Sequence, residues 1–240
     1  MTSVVWLDES NFEFPSLDEA LVEPNGLLAA GGDLDPERLL KAYSQGIFPW
    51  YDDTQPILWW SPNPRAVLFH GEIKISRSLR KRLKRNEFIV KLDSDFEAVI
   101  DACSQPRTSS DGDTWITTEM RNAYLKLHEI GKAHSIECYV DDRLVGGLYG
   151  VGIGRLFFGE SMFHYITDAS KVAFVYLSQL LGRYNCPLID CQVENDHLSS
   201  LGCRLIPRSI FQQYLDGYCD PKDEIPWKDL EGILPLWQNL

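Results

Sequence analysis

The 240-residue sequence predicts an α+β protein, with a small N-terminal α/β domain over residues 1–62 and a larger domain over residues 63–240. Two observations support this division. A stretch dense in proline and aromatic residues, GIFPWYDDTQPILWWSPNPRAVLF, separates the two parts and forbids any long regular element between them. After it, strand and helix patterns alternate around a run of three antiparallel strands, which predicts a mixed, mostly antiparallel sheet.

The N-terminal part carries local helix signals. Ser16 followed by Glu19 forms a capping box, which predicts a short helix that ends at Pro24. Asp35 as N-cap and Pro36 at the first helical position predict a second helix, which runs through Tyr43 and ends near Gly46.

A basic helix follows from Ile73. Leu79 and Leu83, four residues apart, give it an apolar stripe that leaves most of the charges toward solvent. Such a run is either a solvated face or, in a chain of formal charge -12, a confined patch that attracts a polyanion. Its positive charges are Lys74, Arg77, Arg80, Lys81, Arg82, Lys84 and Arg85.

The remaining elements follow in a definite order. FIVKLD predicts a strand, Ser94 with Glu97 predicts the cap of the helix FEAVIDAC, and a long polar loop carries Trp115. The helix EMRNAYLKLHEI, three antiparallel strands, a helix ASKVAFVYLSQLL ended by Gly182, a strand PLIDCQV, a helix HLSSLG, a strand and a last helix come next. By analogy of order, this is the layout of a Gcn5-related N-acyltransferase-like domain.

The strand PLIDCQV threads polar side chains through an apolar segment and continues into ENDHL. Asp190 and Gln192 are two residues apart, so a regular strand places both on one face, suited to orienting an amine and relaying its proton. Alternatively, Asp190 is an ordinary acidic residue at a strand end, with its hydrogen bonds made within the protein. Asn195 or Asp196 can cap the following helix.

Composition and motifs narrow the class of function. The six cysteines form no CxxC pair, no apolar run approaches the ~20 residues of a membrane span, and the N-terminus lacks an export signal, so we expect a cytoplasmic protein with reduced thiols and no membrane. The five histidines are scattered, which predicts no metal site. GVGIGR joins two strands and does not open a helix, and GESMFHYITDASK lacks the paired glycines of a coenzyme A loop.

Several long strings together resemble the bacterial leucyl/phenylalanyl-tRNA-protein transferases, from about Phe14 to about Tyr214. They are FPSLDEALVEPNGLLAAGGDL, GIFPWY, ILWWSPNPRAVL, TWIT, VGGLYGV, FFGESMF, DASK and LIDCQVENDH. The resemblance implies transfer of Leu or Phe, with Met as a further candidate, from aminoacyl-tRNA to an N-terminal Arg or Lys of a protein, which marks that protein for degradation by the N-end rule. It also implies that no cofactor is used, and we expect a monomer.

The resemblance assigns roles to residues that match the family's motifs. Asp190 and Gln192 correspond to the catalytic pair, and Trp50 and Trp115 to the aromatic residues that sandwich the terminal adenine of the tRNA. The aminoacyl-adenosine is held by Glu160 and Asn195, and the pocket for the Leu or Phe side chain involves Leu148, Met162 and Leu177. The residues in the place of the tRNA-contacting cluster are Arg77, Lys81, Lys84 and Arg85.

This chain departs from the family's pattern at three positions. Relatives carry Met in place of Leu148 and an aromatic residue near Leu177, so the ratio of Leu to Phe is open. Glu194 is apolar in relatives, and its charge favours a cationic acceptor. Two rivals remain, a coenzyme A-dependent N-acetyltransferase of the same fold and a non-catalytic tRNA-binding protein.

Overall fold

The computed structural model describes residues 4–105 and 116–235, which form two sheets and their covering helices. The first sheet has the strand order β1-β2-β4-β3. Its strands and their one α-helix are β1 (Val5–Leu7), β2 (Leu27–Gly31), α1 (Pro36–Ser44), β3 (Phe48–Pro49) and β4 (Leu58–Trp60).

The second sheet has eight strands. Its elements in chain order are β5 (Arg65–Phe69), α2 (Arg77–Arg85), β6 (Ile89–Leu92), α3 (Phe96–Ser104), α4 (Thr118–Glu129), β7 (Ala133–Val140), β8 (Arg143–Ile153), β9 (Leu156–His164), α5 (Ala169–Arg183), β10 (Leu188–Gln192), α6 (Asp196–Ser200), β11 (Arg204–Ile206), α7 (Arg208–Tyr218) and β12 (Gly232–Ile233). The strand order is β11-β5-β10-β9-β8-β7-β6-β12, and among the described strands of this sheet only β9 and β10 pair in parallel. The α+β class with a mixed, mostly antiparallel sheet is therefore confirmed.

The two faces of the larger sheet bury different helices, because successive residues of a strand point to opposite sides. Tyr149 of β8 packs in one apolar cluster with α1, α3, α4 and the first sheet. Its neighbour Leu148 packs in the other cluster, with α2 and α5. Within the described residues, no helix combines the length and the apolar character needed to cross a bilayer.

Local capping chemistry explains the helix ends, with two corrections to the sequence expectation. Asp35 accepts a hydrogen bond from the Glu37 amide at 2.8 Å and Pro36 opens α1, as predicted. The cap of α3 is Asp95, which accepts from the Ala98 amide at 3.1 Å, so Ser94 was the wrong choice. Gly182 does not end α5, which continues to Arg183, and the glycine is explained by His70, because a Cβ atom at this position would come within 2.1 Å of its ring.

An ion pair lies inside the sheet between β5 and β10. Arg65 donates from Nε to Asp190 Oδ1 at 2.8 Å and from Nη2 to Oδ2 at 2.6 Å, while its Nη1 donates to the Gly46 carbonyl at 3.1 Å. The two side chains are 1% and 0% exposed. The guanidinium also lies over the rings of Phe48 and Phe211 at 4.8 and 4.9 Å. Arg65 therefore joins β3, β10 and α7.

Arg65→Met should lower the free energy of unfolding by about 3 to 5 kcal/mol, because it leaves the buried charge of the Asp190 carboxylate uncompensated. The double variant Arg65→Met/Asp190→Leu should lose less than the single variant, since both buried charges are then removed. Urea unfolding of the three proteins measures this.

The matched control is Arg85→Met, which breaks an exposed ion pair with Glu87 (3.2 Å, 58% and 36% exposed) and should cost less than about 1 kcal/mol. A double variant less stable than Arg65→Met would contradict the assignment of the cost to an uncompensated charge.

Candidate active site

A cleft of about 590 Å³ opens where β9 and β10 separate. The two strands pair only at Ile189 with Phe157 and at Asp190 with Phe158, although β9 continues to His164. Beyond that point, side chains from both strands face the gap. The cleft is lined by residues of β3, β8, β9, α5, β10 and α6 and of the loops beside them.

Two β-bulges determine which side chains point at one another across this gap. In β9 the bulge makes Glu160 the extra residue, because Gly159 pairs with Gly150 and Ser161 with Tyr149. In β10 the bulge makes Cys191 the extra residue, and Gln192 follows with a φ of 60°. A bulge re-aims side chains at a strand end. The alternation that would have put Asp190 and Gln192 on one face is therefore broken.

Glu160 is the centre of a polar cluster on the cleft. Its Oε1 accepts hydrogen bonds from the Tyr43 hydroxyl at 2.7 Å and from Gln192 Nε2 at 2.7 Å, and its Oε2 accepts from the Tyr124 hydroxyl at 2.9 Å. The hydroxyl oxygens of Tyr43 and Tyr124 also contact each other. The cluster thus brings together side chains from α1, α4, β9 and β10.

Burial sets the charge state of this cluster. It raises the pKa of Glu160 to about 7, because a carboxylate loses its hydration there, and the negative charge of Asp190 acts in the same direction. The hydrogen bonds from Tyr43, Tyr124 and Gln192 oppose this shift. Burial and the nearby Glu160 also raise the pKa of both tyrosines well above the usual value, so both hydroxyls keep their protons near neutral pH.

Asp190 lies behind the cleft and does not line it. Besides the two bonds from Arg65, it accepts a hydrogen bond from the Gln192 backbone amide at 3.0 Å. The sequence predicted Asp190 and Gln192 on one face of a strand, but the Gln192 side chain contacts Glu160 and not Asp190. Asp190 instead fixes the bulged backbone from which Gln192 projects.

The other half of the cleft is apolar. Leu148 of β8 stands directly opposite Met162 of β9, and Leu177 of α5 approaches from the helix that covers them. Phe157, Phe174 and Ile189 complete this part of the lining. The three residues proposed for an aliphatic or aromatic side chain therefore share one apolar pocket, beside the Glu160 cluster.

Trp50 and Asn195 lie on the cleft as well. The Trp50 ring is 44% exposed and packs against Trp60, with the ring centroids 5.7 Å apart, while Trp60 donates to the Trp50 carbonyl. Asn195 caps α6 by accepting from the Leu198 amide at 2.8 Å, which leaves its NH2 group uncommitted to the cap. Trp115, the other aromatic residue expected at the site, lies outside the described residues.

The basic helix α2 does not contribute to the cleft. Leu79 and Leu83 are buried, and Ser76 caps the helix. Arg77, Lys81, Lys84 and Arg85 are exposed, as the apolar stripe predicted, although Arg85 pairs with Glu87 at 3.2 Å. Arg82 reaches Asp168 at 3.8 Å, just before α5, so α2 is attached to the helix that covers the apolar pocket.

Sequence reasoning missed three residues of the candidate site. Arg65, Tyr43 and Tyr124 hold Asp190 and Glu160, and each sits in an apolar segment, RAVLF, LLKAYS or NAYLKL, that predicts only burial. A signal did exist for one of them, because Asp190 inside a buried strand requires a partner. In the described part of the chain, no three His, Cys, Asp or Glu side chains are arranged to hold a metal ion.

Comparison with known proteins gives a consistent result. A family model described as leucyl/phenylalanyl-tRNA protein transferase matches residues 67–216, and its N-terminal domain model matches residues 32–63. Relatives of that name from Pseudomonas putida and Stutzerimonas stutzeri are 55% and 53% identical over 94% of this chain and 99% of theirs. The relative from Nitrosomonas eutropha is 56% identical over 91% of this chain and 93% of its own.

Among solved structures, L-PGS from Bacillus licheniformis aligns with 57% of this chain and 49% of its own at 13% identity, with a TM-score of 0.37 that is too low to support any conclusion. The family assignment depends on the sequence matches, which extend over nearly the whole chain. By those matches, the chain belongs to the leucyl/phenylalanyl-tRNA protein transferase family, a family of aminoacyltransferases.

Proposed function

We propose that this protein transfers Leu or Phe from aminoacyl-tRNA to the α-amino group of an N-terminal Arg or Lys of an acceptor protein, which marks that protein for degradation. The observation that carries the proposal is the composition of the cleft, where an apolar pocket lies directly beside the Glu160 and Gln192 cluster. Such a cleft fits an apolar aminoacyl group whose ester carbonyl lies next to polar side chains. A protein that only binds tRNA has no need of that cluster.

The reaction needs little chemical activation by the protein. An aminoacyl ester is already activated, and the α-amino group of a peptide has a pKa of about 7.7 to 8.0, so orientation contributes most. The amine nitrogen bonds to the ester carbonyl carbon, and the bond from that carbon to the ribose oxygen breaks. Because Glu160 accepts the Gln192 Nε2–H, the Gln192 Oε1 is left as the acceptor for an N–H of the attacking amine.

Acidic residues at one side of the cleft support a cationic acceptor. Glu194, just after β10, and Asp196, the first residue of α6, line the cleft, and both are exposed. The formal charge of -12 over the chain favours an acceptor whose N-terminal residue is positively charged. It disfavours contact with tRNA except at a surface that is locally basic. The exposed basic face of α2 is such a place.

We also propose that the larger sheet adopts the Gcn5-related N-acyltransferase fold, and that the protein acts as a cytoplasmic monomer without a cofactor. The order of elements supports the first point: four antiparallel strands, β6 to β9, then a covering helix and a parallel strand, β10. The six cysteines, which form no disulfide, support a reducing compartment.

Gln192→Ala should lower turnover by about 100-fold or more while tRNA affinity stays within about twofold, because the amide orients the amine and lies far from any phosphate contact. The measurement is transfer of radiolabelled Leu from tRNA to a peptide that begins with Arg, beside filter binding of the same tRNA. Equal losses in binding and turnover would contradict this division of roles.

Lys81→Glu/Lys84→Glu should weaken tRNA binding and reduce the slope of log K against log salt by about one for each phosphate that the helix no longer neutralises. A minimal aminoacyl-adenosine donor should still be used, since α2 does not line the cleft. Lys126→Glu on α4 is the control for a charge reversal at another exposed lysine. If the small donor were no longer used either, α2 would have a structural role only.

Trp50→Ala should weaken binding of the aminoacyl-adenosine donor by on the order of 1 to 3 kcal/mol, the range for stacking of a base on an aromatic ring. Trp50→Phe should cost less, because it keeps a ring. Trp115→Ala should cost about as much if that residue forms the other side of the sandwich.

Trp6→Ala is the control for loss of an exposed tryptophan. The Trp6 ring is 70% exposed and lies against Gly31, away from the cleft. A lower melting temperature with unchanged donor binding in Trp50→Ala would assign Trp50 to packing alone.

A further inference from the structure

Three oxygen-bearing side chains on the cleft form a closed triangle. The Tyr43 hydroxyl contacts Glu160 Oε1, the Tyr124 hydroxyl contacts Glu160 Oε2, and the two hydroxyls contact each other. Each tyrosine can donate one hydrogen, and an ionised carboxylate can donate none. With Glu160 ionised, two hydrogens are therefore available for three contacts.

One added proton completes this triangle. A protonated Glu160 brings a third hydrogen, so that each of the three contacts can hold one. Neither tyrosine supplies that proton, since burial and the Glu160 charge raise the pKa of both hydroxyls and keep them protonated near neutral pH. The hydrogen-bond geometry of the cluster therefore favours the uptake of a proton at Glu160. Burial also raises the pKa of this carboxyl to about 7.

Of the carboxylates in the described part of the chain, two contact Gln192, and of these two only Glu160 is open to the cleft. Asp190 is 0% exposed, both of its oxygens are bonded to Arg65, and it contacts Gln192 only through the backbone amide. Glu160 lines the cleft and holds the Gln192 side-chain amide. A group bound at Gln192 Oε1 is therefore separated from the Glu160 carboxylate by one side-chain amide, and both residues line the same cleft.

Among the described residues, few titratable groups contact Glu160 or act on its charge. Tyr43 faces it from α1, Tyr124 from α4 and Tyr149 from β8, with Cys103 of α3 behind Tyr149. On the side of β10 lies Asp190, whose charge is compensated by Arg65 of β5. The nearest uncompensated negative charge is therefore that of Glu160 itself, among the groups that contact Gln192.

We propose that Glu160 is the proton acceptor of the transfer reaction, and that Tyr43 and Tyr124 are positioning residues that hold its carboxylate and set its proton affinity. This rests on the proposed aminoacyl transfer. As the amine nitrogen bonds to the ester carbonyl carbon, the proton that the nitrogen loses passes to the Glu160 carboxylate. As the carbon–oxygen bond breaks, Glu160 returns that proton to the departing ribose oxygen, so that no net proton is consumed.

The test is the pH dependence of single-turnover transfer of Leu from tRNA to a peptide that begins with Arg. Activity of the wild type should fall as the pH drops through about 7, because protonated Glu160 cannot accept the proton. Tyr43→Phe and Tyr124→Phe each remove a donor that stabilises the carboxylate, so each should move this fall to higher pH by about one unit. Glu160→Gln should reduce turnover about 100-fold or more and abolish the part of the pH dependence that the Glu160 carboxyl causes.

Tyr149→Phe is the matched control. It removes a hydroxyl from the same part of the core, where the Tyr149 oxygen has no hydrogen-bond partner among the described residues. The pH at which the activity of Tyr149→Phe falls to half should coincide with that of the wild type. The acceptor amine titrates equally in all variants, so the differences between profiles report on the enzyme.

Infrared difference spectroscopy gives a second readout that does not depend on activity. A protonated carboxyl band should grow in the wild type as the pH falls through about 7 and should be smaller in Glu160→Gln by the contribution of one group. If one tyrosine variant fails to fold, the other tests the second carboxylate oxygen.

Identical pH midpoints in the wild type and both tyrosine variants would overturn the proposal, and so would wild-type turnover in Glu160→Gln. If the wild-type protein transferred no Leu to the peptide, the proposed function would fail first. Transfer with one common pH profile in all variants would leave that function intact and refute only the role of Glu160.

Discussion

Arg65 and Asp190 place two opposite charges inside the sheet, where each one alone would be strongly disfavoured. Two bonds between a planar guanidinium and a carboxylate fix both distance and angle, which a lysine could not do. The pair makes β10 dependent on β5, and through the Gly46 carbonyl and the Phe211 ring it also fixes the end of α1 and the packing of α7. The position of Gln192 follows, because Asp190 also accepts its backbone amide.

Residues from distant parts of the chain therefore form the cleft. Tyr43 comes from the helix beside the first sheet, while Glu160 and Gln192 come from strands of the second. Pairing between β9 and β10 stops after two residue pairs, and two bulges turn side chains into the space that this leaves.

Sequence reasoning succeeded where the determinants are local. The start of α1 depends on Asp35 and Pro36, two adjacent residues, and the strands β7 to β9 follow one another through connections of two residues, so their antiparallel pairing is local as well. It failed where the determinant is distant or geometric. Arg65 and Asp190 are 125 residues apart, and no local pattern marks Cys191 or Glu160 as the extra residue of a bulge. Gly182 was mistaken for a helix end because a glycine required by close packing and one at a helix terminus look the same in a sequence.

The edges of the eight-stranded sheet have a further consequence. One edge is β11, with three residues, and the other is β12, with two, which covers the four residues of β6. Trp227 anchors the approach to β12 by stacking on His134 at 4.1 Å and by lying over Gly152, where a Cβ atom would come within 2.8 Å of its ring. An unprotected strand edge invites pairing with another chain. By ending the sheet in such short strands, the protein offers other molecules little backbone to pair with and so limits its own tendency to aggregate.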